Sequence, residues 1–473
     1  MSACKKNLTF QEKELAILRA AVDLAEEKAG KKVAQSEEVK KIIQIVEAFL
    51  RNKKLVCYGG TAINNILPID DQFYNKDVEI PDYDFFSHSA LTHAKELADI
   101  YAEAGYTDVE AKSGVHHGTF KVYVNFIPVA DITYIPKQLF KSLSKEAIKV
   151  NGILYAPPNY LRMGMYLELS RPRGDVSRWE KVLKRLVLLN KNYPMQNPRC
   201  NHIDFMRDFE SSSKNDSREV YTIVRDSFTD QGLVFFGGYA SSLYSKYMPK
   251  DKRKMFQQKH PDFDVLSEDP ETSATILKER LQDEGFEKVK MHKHPGFGEI
   301  ISPNYEVSIG DDTVAFIYKP LACHSYNVIR LGGKKVKVAT IDTMLSFFLA
   351  FLYADRPYYD HDRIICMSQY LFKVQARNRL EQKGVLKRFS LNCIGDQKTL
   401  EDSRAEKSMM FEKLKGKRGT KEYDEWFLRY APGEKKAMLA TAKKRKTRRK
   451  GKGKRKPKKK GKRKTKKKGL LGF

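Results

Sequence analysis

The 473-residue sequence predicts an α/β protein in which one domain fold is used twice, flanked by helical segments and followed by a disordered basic tail. Two observations carry this. Short apolar or alternating runs, the pattern of strands, are interleaved with segments whose apolar residues recur three and four apart, the pattern of helices. The same ordered set of short segments then appears a second time. LVCYGG at 55–60 is echoed by LVFFGG at 233–238, and PDYDFFS at 81–87 by PDFDVLS at 261–267. VADITYIP at 129–136 is echoed by VAFIYKP from 314, and RPRGDVSR at 171–178 by RPYYDHDR at 356–363. Their offsets of 178, 180, 185 and 185 residues grow slowly, as small loop insertions would make them.

Taken in order, Thr9-x-x-Glu12 reads as a capping box opening a helix to about Ala29, and Ser36 opens a second over SEEVKKIIQIVEAFLRN. Leu55 to Tyr58 reads as a short buried strand, and TAINNIL after the glycine pair as one or two helical turns stopped before Pro68. Residues 69–80 are polar loop, and Asp82 to Phe86 is a strand. ALTHAKELADIYAEAG is a helix ended by Gly105, and FKVYVNF and VADITYI are two further strands. Asn159 to Asn190 is largely helical, with a break at Arg171-Pro172-Arg173-Gly174. The expected division is a helical segment over 1–50, a first domain over 51–192, a linker over 193–225, a degenerate second copy over 226–375 and a helical segment over 376–442.

The tail, 443–473, stands apart. Lys443 to Lys468 holds 26 residues, 20 of them Lys or Arg and none acidic, against 88 basic and 59 acidic residues in the whole chain. Removing those 20 leaves 68 basic against 59 acidic, so the body carries +9 of the total +29. A run of that charge repels itself and cannot bury a core. A polyanion, bound through counterion release, is its natural partner, while a solubility or import role is the plainer reading. No apolar run approaches the length of a membrane span, and the N-terminus lacks the layout of a secretory signal. Cys4, Cys57, Cys200, Cys323, Cys366 and Cys393 are scattered, with no metal spacing, and are expected to be reduced thiols in a cytosolic or nuclear-type compartment.

The chemistry lies in the repeated unit. Residues two apart on a strand face the same way, so Asp82 and Asp84 project together, and a neighbouring strand brings Asp131 beside them. Clustered carboxylates repel, and hard divalent cations are the remedy. A pair of such ions holds the attacking and leaving oxygens of a phosphoryl displacement. Gly59-Gly60 then admits a triphosphate to the backbone and the helix start, with Thr61 adding a hydroxyl. The expected reaction is nucleotidyl transfer. In the second copy Gly237, Gly238, Asp262 and Asp264 persist, but Phe316 stands where Asp131 would be and Tyr239 follows the glycines. A metal site is lost there, so that copy is expected to be scaffold or RNA-binding surface, with Asp311 or Asp312 the remote substitutes.

The GGTAINN, DYDFFS and VADITY set resembles the polymerase-β-like nucleotidyltransferase superfamily. With the degenerate copy and YLRMGMYLELSRPRGDVSRWEKVLKRLVLLN at 160–190, the sequence resembles the poly(A) polymerase catalytic subunits of large DNA viruses, of the poxvirus and mimivirus type, over roughly residues 35–375. The resemblance implies template-independent addition of AMP from ATP to mRNA 3′ ends with two Mg²⁺ or Mn²⁺ ions. It places the triphosphate on Gly59 and Gly60, the metals on Asp82 and Asp84, and the 3′-hydroxyl near Asp131. It also implies the host cytoplasm, a viral factory or the virion as location, and either a homodimer or a methyltransferase-like partner. CCA-, uridylyl- or oligoadenylate-type transfer remains open, as does a non-catalytic RNA-binding subunit.

Arg171, Arg173, Arg178, Lys181, Lys184 and Arg185 form a basic group after the catalytic strands. Arg178, Lys181, Lys184 and Arg185 are candidates for phosphate or RNA contacts, a solvated helix face being the plainer alternative. Met163, Met165, Tyr166 and Leu167 read as core, His116-His117 as loop, and Leu331-Gly332-Gly333-Lys334 as a hairpin turn.

Overall fold

The computed structural model describes residues 9–34, 36–75, 77–201, 203, 214–248, 250–253 and 260–432. The basic tail, Cys4 and residues 204–213 of the expected linker lie outside the described residues.

Two eight-stranded mixed sheets organise the chain. The first holds β1 (Val56–Cys57), β2 (Tyr83–Ser87), β3 (Val109–Ser113), β4 (Thr119–Val124), β5 (Ile127–Tyr134), β6 (Ile148–Val150) and β7 (Ile153–Tyr155). The second holds β8 (Val234–Phe236), β9 (Phe263–Leu266), β10 (Val289–His294), β11 (Asn304–Ile309), β12 (Asp312–Tyr318), β13 (His324–Leu331) and β14 (Lys334–Ala339). Their orders are β3-β4-β5-β2-β1-β7-β6 and β10-β11-β12-β9-β8-β14-β13, the same arrangement twice. In both, the second strand runs parallel to the fifth and the first to the seventh, while the remaining pairs are antiparallel.

Each sheet is preceded by an amphipathic helix, Glu37–Lys53 in the first copy and Lys214–Asp230 in the second, so helical chain that the sequence placed in a lead-in and a linker packs with the sheets. Ile42, Val46, Phe49 and Leu50 line the buried face of the first helix at the three- and four-residue spacing of an apolar stripe. Removing each of these side chains from water contributes about 2 kcal/mol. Ala90–Glu103 and Pro270–Asp283 cover the same faces of their respective sheets. The opposite face of each sheet carries the glycine-pair helix, Gly59–Ile66 or Gly237–Leu243. Helix Pro158–Leu169 packs against its own counterpart, Ile341–Phe351, so the two copies meet through equivalent elements and share one core. All eleven residues of Ile341–Phe351 are buried.

The structure departs from the sequence reading in several places. β3, β6 and β7 were not expected. Asn151-Gly152, both with positive φ, forms the two-residue turn between β6 and β7, and that dipeptide is itself a hairpin signal. The C-terminal segment is not simply helical. Leu400–Leu414 and Lys421–Phe427 are helices, but β15 (Cys393–Ile394) adds to β13 and β16 (Arg429–Tyr430) to β3, so this segment completes one edge of each sheet.

The reduced-thiol expectation is overturned. Cys200 pairs with Cys366 and Cys323 with Cys393, leaving Cys57 as the free thiol among the described residues, buried behind the sheet. The pairs are 166 and 70 residues apart, so only the tertiary fold brings them together. The Leu331–Lys334 turn and the His116-His117 loop fall where expected, with His117 against Trp426. No helix among the described residues is long and apolar enough to cross a membrane.

Candidate active site

The site is built on the exposed-side face of the first sheet. Alternation along β2 sends Tyr83 and Phe85 to the covered face and leaves Asp84, with Asp82 just before the strand, on the other. Asp84 lies directly across from Asp131 of β5, in a parallel register. Lys121 of β4 lies opposite Asp131 on its other side, and its ammonium bonds Asp131 Oδ2. The remaining oxygen, Asp131 Oδ1, is buried without a hydrogen-bond partner.

The three carboxylates feel one another. Burial first, then the charges of Asp82 and Asp131, push the Asp84 carboxyl up to about 7. Asp82 is raised by burial and by Asp131. Lys121 and Arg178 pull Asp84 the other way. The Tyr58 phenol is raised by burial and then mainly by Asp84; its ring stacks on Phe86 at 3.9 Å and its hydroxyl meets Thr133 Oγ1 at 2.9 Å.

Among the described residues, no three His, Cys, Asp or Glu side chains are gathered closely enough to hold an ion as they stand. Lys121 is engaged with one of the three. The donor set nevertheless fits a hard cation. It is all carboxylate oxygen, one oxygen is orphaned and buried, and the residual repulsion among the three asks for more positive charge than one ammonium supplies.

The glycine pair allows close approach on two sides. Gly59 has φ +74°, and a Cβ on it would stand 2.6 Å from Asp84 Oδ2. A Cβ on Gly60 would stand 2.5 Å from the Tyr74 hydroxyl and 3.0 Å from Arg185 Nη1. The missing side chains therefore make room for the Asp84 carboxylate and for an arginine. Gly237 likewise has φ +72°, and a Cβ there would collide with Asp264, so the glycine and the aspartate need each other sterically in both copies.

Thr61 differs from the sequence reading. It is buried, and its hydroxyl donates to the Asp82 carbonyl at 2.7 Å, which ties the glycine-pair helix to the Asp-x-Asp strand instead of offering its proton outward.

The basic candidates separate into distinct environments. Arg185 is buried on helix Trp179–Asn192, donates to the Tyr74 hydroxyl at 2.7 Å and lies over the rings of Phe73 and Tyr74. Arg178 is exposed, bonds Glu168 at 3.1 Å and reaches Asp84 electrostatically. Lys184 pairs with Glu180 on an exposed helix face, Lys181 is exposed beside it, and Arg173 is exposed. Arg171 faces inward toward the buried His324, whose ring is held down to about 3 by burial and then by Arg171. Lys121, Tyr58, Phe73 and Tyr74 were missed in the sequence. Lys121 alone carried a signal: in FKVYVNF it alternates with the apolar residues, opposite in side to Phe120 and Val122.

The second copy repeats the frame without the third carboxylate or the lysine. Phe316 lies across from Asp264 where Asp131 lies across from Asp84. Glu306 lies opposite Phe316 where Lys121 lies opposite Asp131, and it bonds His294 and Thr313 instead. Tyr358 packs on Phe316 at 5.0 Å and Tyr359 on Phe351 at 4.3 Å, so aromatic rings line the space beside Asp264. Asp311 and Asp312 sit at the start of β12, several residues from the Asp264 register, and do not stand in for the lost carboxylate.

Comparison with known proteins agrees with this frame. The family model for the poly(A) polymerase catalytic subunit matches residues 44–175. A protein of African swine fever virus (strain Badajoz 1971 Vero-adapted) named as a poly(A) polymerase catalytic subunit is 35% identical over 173 residues, 35% of this chain. That match spans only 36% of the viral protein's length. A protein of Acanthamoeba polyphaga mimivirus with the same name is 24% identical over 420 residues, 80% of this chain and 70% of its own. The crystal structure of the Megavirus polyadenylate synthase superposes with a TM-score of 0.75 at 20% identity, covering 92% of this chain and 88% of that one. The poly(A) polymerase catalytic subunits of large DNA viruses are thus the family this chain resembles, in the sequence around its carboxylates, along most of its length and in its fold.

Proposed function

We propose that the chain is a template-independent poly(A) polymerase that transfers AMP from ATP to an RNA 3′ end at the first-copy site. The observation that carries this reading is the in-register pairing of Asp84 with Asp131, with Asp82 beside them and a glycine pair and a buried arginine alongside. Asp82, Asp84 and Asp131 would hold two divalent ions, Mg²⁺ or Mn²⁺. When bound, such ions supply the positive charge that steadies the attacking and leaving oxygens.

The chain's own residues do the rest. Arg185 is a buried guanidinium bonded to a neutral hydroxyl, and an anion such as a triphosphate oxygen satisfies it better. The backbone amides at the start of helix Gly59–Ile66 add donors on the same side. Asp131, on the strand paired with that of Asp84, would orient the 3′-hydroxyl. In the transfer the 3′-hydroxyl gives up its proton to a carboxylate of the site, its oxygen forms a bond to the α-phosphorus, the bond to the bridging oxygen breaks, and pyrophosphate leaves with its charge toward Arg185. The choice of adenine rests on the family resemblance and not on a base contact.

Primer extension tests the reading. The full chain is given a labelled RNA oligonucleotide, Mg²⁺ or Mn²⁺ and each nucleoside triphosphate in turn, with Asp82→Ala/Asp84→Ala as control. A long ladder with ATP alone, absent in the control, is the expected outcome. Extension with UTP or CTP, or a stop after a few additions, moves the substrate to another RNA nucleotidyltransferase class. No extension with either metal sinks the catalytic reading of this chain acting alone.

A further inference from the structure

We infer that Lys121 is the resident cation of the carboxylate site, a positioning residue that occupies Asp131 until a divalent ion displaces it. This rests on the metal-dependent reading above and deepens it. Three observations place Lys121 there. It sits directly opposite Asp131 in the antiparallel β4–β5 register, which aims both side chains at the same face. Its ammonium bonds Asp131 Oδ2 and lowers the energetic penalty that Asp82 and Asp84 feel for being charged. Asp131 Oδ1 is left buried and unpartnered, so Lys121 satisfies only half of that carboxylate.

The second copy supplies an independent observation. Where Asp131 has become Phe316, the position across from it has become Glu306, reversing the charge. A lysine kept merely to help solubility or to cover the sheet has no reason to disappear together with the carboxylate it faces. Glu306 finds other partners, His294 and Thr313, as a residue freed from that role would.

An ammonium and a divalent cation cannot share one carboxylate oxygen without strong repulsion. Lys121 therefore guards the Asp131 side of the site and leaves Asp82 and Asp84 as the side that fills first. The site then assembles fully only when a nucleotide or RNA brings enough negative charge to draw a further cation in and release Lys121.

Mn²⁺ binding to the full chain without nucleotide, followed by electron paramagnetic resonance of free Mn²⁺, tests this without reading activity. Lys121→Met should tighten Mn²⁺ binding by roughly tenfold or more, since a unit charge beside the site is removed. Lys121→Arg, which keeps the charge, should stay near wild type. Asp131→Asn added to Lys121→Met should cancel the gain. Unchanged or weaker binding in Lys121→Met overturns the inference. If that variant melts early, Lys121→Gln, which keeps length and polarity, decides by the same criterion. Asp82→Asn/Asp84→Asn separates the two readings: if it binds Mn²⁺ like wild type, the metal reading of the site falls and the role of Lys121 falls with it.

Discussion

The two sheets of this chain share strand order, register and glycine pair, yet their open faces differ in what stands across from the Asp-x-Asp strand. In the first it is Asp131 with Lys121 behind it; in the second it is Phe316 with Glu306. The first face spends stability to keep three carboxylates close. The second lines the same space with the rings of Phe316, Tyr358 and Tyr359. Retained motif residues thus stand in different surroundings in the two copies. Gly237 persists because Asp264 packs where its Cβ would be, a steric requirement independent of the third carboxylate.

The sharpest way to break the comparison is to remove the aspartates from each face. Asp82→Ala/Asp84→Ala should lower AMP transfer by roughly 10³-fold or more, whereas Asp262→Asn/Asp264→Asn should leave it within about twofold. Equal losses in primer extension, with both variants folded by circular dichroism, would mean that both copies act. Next in size, Phe316→Asp should cost about 3 kcal/mol or more in denaturant unfolding, because it puts a charge among packed rings, and should add no activity. Gain of turnover there would show that one carboxylate is all the second face lacks.

Arg185→Leu should raise the KM for ATP by about 10- to 100-fold with a smaller change in kcat, the cost of a charge-assisted phosphate contact. A change confined to RNA affinity would reassign Arg185 to the acceptor. The first face should also be measurably strained by the burial of Asp84 and then by its charged neighbours. Asp84 is raised to about 7 in the fold from an ordinary carboxyl value near 3.8, so the folded chain favours its protonated form. Its share of stability is present in acid and is lost as pH rises through about 7. Without divalent ions, Asp84→Asn should therefore unfold on the order of 2 kcal/mol later than wild type at pH 8, and converge with it near pH 4. A constant difference across pH would place the strain elsewhere. Smallest is Thr61→Val, expected to cost about 1 to 2 kcal/mol by stranding the Asp82 carbonyl while leaving the KM for ATP nearly unchanged. A KM effect without a stability effect would return that hydroxyl to the phosphates.

Much of this molecule was legible in the sequence because it is local. Alternation puts Asp82 and Asp84 on one face whatever surrounds them, and the Thr9–Glu12 box caps its helix through hydrogen bonds three residues apart. Repetition did the rest, since a second ordered GG, Asp-x-Asp and apolar strand set can only be a second copy of the fold. The tertiary structure decided what depends on distant chain. It paired Cys200 with Cys366 and Cys323 with Cys393, sent β15 and β16 from one terminal segment to two different sheets, and buried Arg185 against Tyr74, 111 residues away. It also gave the glycine pair its meaning, because the atom that Gly59 makes room for belongs to Asp84, on the next strand. Local hydrogen bonding and side-chain alternation are written in neighbouring residues; close approach, burial and shared charge are properties of the packed chain alone.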